Sequence, residues 1–107
     1  MAEFSLEDLA AAIDARAAAG SAESYTVRLL GAGRSGCARK FGEEALEAII
    51  AALDGDRDAL TAEAADVLYH LLVLLRAADV PLDRVMAELK ARTEQSGLAE
   101  KASRTAR

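Results

Sequence analysis

Two acidic pairs are the residues of this chain best spaced for chemistry. Glu44 and Glu47 are three apart, Glu63 and Asp66 are three apart, and Glu43 adjoins the first pair. Residues at that spacing are neighbours on one helix face, so each pair can aim two carboxylates in one direction. Gly55 lies between the pairs. Glu47 and Glu63 are each eight residues from it, Glu44 and Asp66 each eleven, Lys40 and His70 each fifteen. If the chain turns back on itself at Gly55, each couple occupies one level of an antiparallel hairpin, the first roughly 12 Å from the turn. Carboxylates gathered so closely repel, and in a dry site they cannot all stay ionised. A divalent cation relieves this, and all-oxygen ligands select a hard ion, Mg²⁺ or Mn²⁺, over zinc or copper. Mg²⁺ keeps waters and accepts substrate phosphates into its shell. The spacing therefore predicts a metal held by Glu44, Glu47, Glu63 and Asp66, and a phosphate-bearing substrate. The bland alternative is a solvated acidic surface.

The elements that position these residues read as helices. Leu46, Ile49, Ile50 and Leu53 recur at helical spacing, opposite Glu44 and Glu47. A helix over 37–54 is expected, ended by Gly55, followed by one over 56–78 capped by Asp56. From Val67 to Leu75 the second helix is apolar nearly all round, a pattern that calls for burial on every side. Too few other helices exist to cover it, so a homodimer with this helix near the interface is expected. Residues 5–19 read as a helix capped by Ser5, with Leu6, Leu9 and Ile13 as its apolar stripe. SYTVRLL (24–30) reads as a short helix with Ser24 near its cap. GAGRSG (31–36) matches G-x-G-x-x-G in form, but that fingerprint needs a preceding strand in a βαβ unit, and this chain offers none. A flexible loop is expected there, able with Arg34, Arg39 and Lys40 to close over phosphates. Pro81 opens a helix over 81–94 with Leu82, Val85, Met86 and Leu89 inward.

Four further charged or titratable side chains have two readings each. Lys40, one turn ahead of Glu44, is either its ion-pair partner or a cation for substrate phosphate. His70, one turn beyond Asp66, is either a hydrogen-bonded core residue, the commoner case, or a ligand. Lys90 and Arg92 are either solvated or substrate-facing.

At 107 residues the chain is one domain, expected over 1–94, with 95–107 a mobile tail. The fold class is all-α: a four- to five-helix bundle completed by homodimerisation. A net charge of −5 argues against binding nucleic acid through its phosphates. A single cysteine forms no intrachain disulfide and suits a reducing, cytoplasmic setting. MAEFSLEDL lacks the apolar stretch of a signal peptide, and no apolar run approaches membrane-spanning length.

With the motifs in view, E-E-x-x-E, fifteen residues, then E-x-x-D resembles the signature of the all-α nucleoside triphosphate pyrophosphohydrolases of the MazG type. Within them SYT (24–26), KFGEEALE (40–47), GDRDAL (55–60) and EAADVLYHLLVLL (63–75) are similar to the phosphoribosyl-ATP pyrophosphatase family of histidine biosynthesis. The resemblance implies Mg²⁺-dependent hydrolysis of phosphoribosyl-ATP to phosphoribosyl-AMP and pyrophosphate. It implies that Glu44, Glu47, Glu63 and Asp66 hold the metal, that Glu43 orients or deprotonates the water, and that Lys40 and Arg39 screen the triphosphate. Tyr25, Arg34 and His70 join them as expected substrate contacts. The chain departs from the family pattern at Gly36, where a basic residue is usual and for which Arg34 is the expected substitute, and at Phe41, where a smaller aliphatic is usual. Three alternatives stay open: a house-cleaning (d)NTP pyrophosphohydrolase of the same fold, a di-iron carboxylate bundle, and a non-catalytic helical interaction module. The di-iron sites use Glu-x-x-His, which neither pair here supplies.

Overall fold

The computed structural model describes residues 3–94 together with 97, 101 and 104. The described residues form five helices and no strand: α1 (Leu6–Ala19), α2 (Tyr25–Gly31), α3 (Gly33–Asp54), α4 (Arg57–Ala77) and α5 (Leu82–Thr93). The expectation of an all-α bundle holds. The expected tail, 95–107, falls almost wholly outside the described residues. No helix among them is long and apolar enough to cross a membrane.

Local chemistry sets the helix starts. Ser5 caps α1 through a reciprocal box with Asp8, each side chain taking the other's backbone N–H. The Ser24 hydroxyl accepts from the Val27 N–H at the head of α2, and Asp56 accepts from the Ala59 N–H at the head of α4. Gly55 closes α3, its N–H donating to the carbonyls of Ala51 and Ala52.

One element differs from expectation. GAGRSG is not a flexible loop: Gly31 ends α2, Gly33 begins α3, and Ala32 alone joins them. Gly33 makes so tight a joint possible because its φ of 76° lies in the left-handed region that a side chain disfavours. The α3 helix therefore starts at 33, not 37.

The core lies toward the end of the bundle away from Gly55. Ile13, Leu29, Cys37, Leu72 and Val73 form it, drawn from α1, α2, α3 and α4. The Cys37 thiol donates to the Leu29 carbonyl, and burial pushes its pKa up, so it packs as a neutral group. Arg76 pairs with Asp14 and ties α4 to α1.

The α3 helix is turned so that its polar face looks inward. Its buried residues are Cys37, Glu44 and Ala51, seven apart, while its apolar stripe faces out: Leu46 is 57% exposed, Ile49 55%, Ile50 50% and Leu53 82%. The apolar run of α4, expected at an interface, is largely covered by the chain's own helices. His70, Leu72 and Val73 are buried, and of the run from 67 to 75 only Leu68 is exposed. On α5, Leu82 packs on the core and Val85 and Met86 are half-buried, but Leu89 is exposed rather than inward.

Candidate metal centre

The α3–α4 hairpin brings the two acidic pairs face to face. Glu44, Glu63 and Asp66 each offer a carboxylate oxygen, and the three oxygens lie within 4.8 Å of one another. Their settings are graded: Glu44 is buried, Glu63 half-buried and Asp66 exposed, so the group opens on one side. Glu47 adjoins it. Its carboxyl is held above the ordinary glutamate range, first by a hydrogen bond with Glu63, then by the negative charge of Glu44 and Glu63. Such sharing requires a proton, the cheapest relief for crowded carboxylates when no cation is present.

Glu63 supplies a further sign that the group suits a cation. Its Oε2 is buried and has no hydrogen-bond partner. A buried carboxylate oxygen without a donor is expensive, and a native site that carries one calls for an explanation such as an ion. Oxygen donors alone, crowded and under-satisfied, fit a hard divalent cation.

Lys40 pairs with Glu44 at 3.3 Å and with Glu43 at 3.7 Å. Its pKa is raised, first by the hydrogen bond to Glu44, so it stays charged. Glu43 itself is exposed at the edge and is not part of the close group. Arg39 and Arg34 are not brought to the acids. By helical spacing Arg39 projects roughly 140° round α3 from Glu44, toward the Leu46 and Ile50 side, and Arg34 lies ten residues, about 15 Å, along the helix from it. Nor could Gly36 carry the usual basic side chain here, because a Cβ would sit 2.5 Å from that of Ala32. Lys90 and Arg92 pair with Glu94 and Glu88 along α5.

The sequence gives no direct sign of how α2 meets α4. Tyr25 Oη lies 3.0 Å from His70 Nε2, and His70 Nδ1 lies 2.7 Å from the Asp66 carbonyl oxygen. Next to this, Thr26 and Tyr69 share a hydrogen bond between their hydroxyls. Two adjacent residues of α2 thus pair in register with two adjacent residues of α4. The only hint in the sequence is that Tyr69 and His70 directly follow the acidic turn.

A family model described as phosphoribosyl-ATP pyrophosphohydrolase matches residues 6–93, all five helices. The chain belongs to this family. Its relatives agree. The phosphoribosyl-ATP pyrophosphatase of Rhizobium etli (strain CIAT 652) is 57% identical over 104 residues, covering 97% of each chain. That of Methylobacterium nodulans is 59% identical over 104 residues, again 97% of each. That of Jannaschia sp. (strain CCS1) is 60% identical over 99 residues, 92% of this chain and 97% of the relative. The matched segment contains the whole acidic group, both arms of its hairpin and the Tyr25–His70 contact.

Proposed function

We propose that this chain is an enzyme that hydrolyses phosphoribosyl-ATP to phosphoribosyl-AMP and pyrophosphate, the second step of histidine biosynthesis, with Mg²⁺ as its cation and Mn²⁺ as a substitute. The observation that carries the reading is the convergence of Glu44, Glu63 and Asp66 across the hairpin, inside a segment that belongs to the family. Glu44, Glu47, Glu63 and Asp66 would hold the cation. Bound there, a divalent ion supplies Lewis acidity against the phosphate oxygens and eases deprotonation of water. Lys40, paired with Glu44, presents a positive charge at the rim, suited to the phosphates. Glu43, exposed beside it, is the carboxylate left to orient or deprotonate water. Residues 1–94 act as a single domain in this reading.

The test is pyrophosphate release from phosphoribosyl-ATP with and without Mg²⁺, set against ATP and a panel of dNTPs. Release from phosphoribosyl-ATP alone, lost with chelator, is the expected result. Release from dNTPs but not from phosphoribosyl-ATP would move the assignment to the house-cleaning branch of the same fold.

The functional form is a homodimer joined through α3. Its outward stripe is on the scale of the largest apolar patch of a typical monomer, roughly 300–600 Å², a patch that is often functional. That is about half of the ~800 Å² a stable interface buries on each side. Positions 46, 49, 50 and 53 are symmetric about the Ile49–Ile50 step. Two copies packed antiparallel on a twofold would set Leu46 against the partner's Leu53 and Ile49 against the partner's Ile50.

A further inference from the structure

His70 was expected among the substrate contacts, yet both its ring nitrogens are engaged inside the protein and the residue is only 5% exposed. The Asp66 carbonyl can only accept, so Nδ1 carries the proton and donates to it. In the neutral ring Nε2 is then a bare acceptor, and the Tyr25 hydroxyl donates to it at 3.0 Å. Tyr25 is the exposed member, 48% open. Its ring stacks on Tyr69, centroids 6.1 Å apart at 19°, and stands edge-on to His70 at 5.8 Å and 79°. It lies close enough to the acids and Lys40 to feel the charges of Lys40, Glu44 and Asp66. A large ring, half open, fixed at its hydroxyl and one face, beside a cluster suited to phosphates, has the form of a wall.

We propose that His70 is a positioning residue: by holding the Tyr25 hydroxyl it keeps the open Tyr25 ring as a preformed surface for the nucleoside part of the substrate, while the phosphates meet the carboxylates. This rests on the nucleotide reading above. Aromatic faces accept bases of any identity, and a ring already held loses little freedom when a base packs on it. His70 acts through Tyr25 and does not touch the substrate.

Two measurements on the full chain test this. His70 is the sole histidine, so its imidazole ¹⁵N resonances need no assignment. In mildly alkaline buffer the wild type should show the Nδ1–H tautomer, and Tyr25→Phe should move the Nε2 resonance toward that of an unbonded ring nitrogen. Finding Nε2–H instead would overturn the proposal whatever the substrate. In kinetics, Tyr25→Phe and His70→Phe should each raise KM for phosphoribosyl-ATP on the order of three- to tenfold, the range of one hydrogen bond, with kcat within about twofold. The double variant should be no worse than the larger single effect, and His70→Gln, whose amide oxygen can accept from Tyr25, should recover part of the loss. An active wild type whose variants keep KM unchanged, or lose kcat instead, sinks the positioning role and leaves the assigned reaction standing. An inactive wild type removes the assigned reaction and the nucleoside wall together, while the ¹⁵N spectrum still reports the tether.

Discussion

Crowding is what distinguishes Glu47 from an ordinary surface glutamate. Its folded-state pKa is raised by the hydrogen bond with Glu63 and the neighbouring negative charges, whereas in the unfolded chain it returns to the ordinary value. The folded form therefore holds the proton more tightly. Its contribution to stability is complete below the ordinary glutamate pKa and is lost as pH rises through the raised folded value. Without divalent ions, the wild type should gain Tm relative to Glu47→Gln as pH falls through that window, and thermal melts of the two proteins across pH 4 to 8 would read the difference. A flat difference would mean that Glu47 is not held in the shared state. Mg²⁺ competes with the same proton, so its affinity should weaken over the same window.

Among the elements, the hairpin was legible and the joint before it was not. Gly55 and Asp56 announce a turn by their residue types, and counting outward from Gly55 placed Glu44 level with Asp66, whose carboxylate oxygens the oxygen cluster brings together. GAGRSG misled because three glycines look like a loop, whereas only Gly33 has a backbone conformation that needs glycine there. Nor could the sequence say which face of α3 turns inward: a stripe of Leu46, Ile49, Ile50 and Leu53 usually marks the core, and here the acids take that side. The Arg34 and Arg39 expectations treated nearness in sequence as nearness in space, and on a helix adjacent residues point about 100° apart. Two glycines of α3 should respond in opposite directions. Gly33→Ala should cost about 1–2 kcal/mol, since it forces a side chain into a left-handed conformation. Gly42→Ala, at an open helical position, should stabilise by about 0.5–1 kcal/mol. Urea unfolding of each variant checks both signs, and equal effects would contradict the assigned joint.

For the whole molecule, the inward acids and the outward apolar stripe are one arrangement. A helix that turns its acids inward leaves its apolar side for another surface, and the carboxylate cluster and the proposed twofold interface share α3 on opposite faces. Sedimentation of Ile49→Lys and Ile50→Lys should show a monomer where the wild type sediments as a dimer; variants that remain dimeric would place the interface elsewhere. Manganese binding, followed by the loss of free Mn²⁺ signal in electron paramagnetic resonance, reaches the acidic group itself. The wild type should take up the ion. Glu63→Gln, which removes the charge whose oxygen lacks a partner, should weaken uptake by on the order of a hundredfold or more, at least the loss seen when a residue merely supporting a metal ligand is removed. Equal uptake by the two proteins would show that the carboxylates brought together by α3 and α4 do not hold the cation.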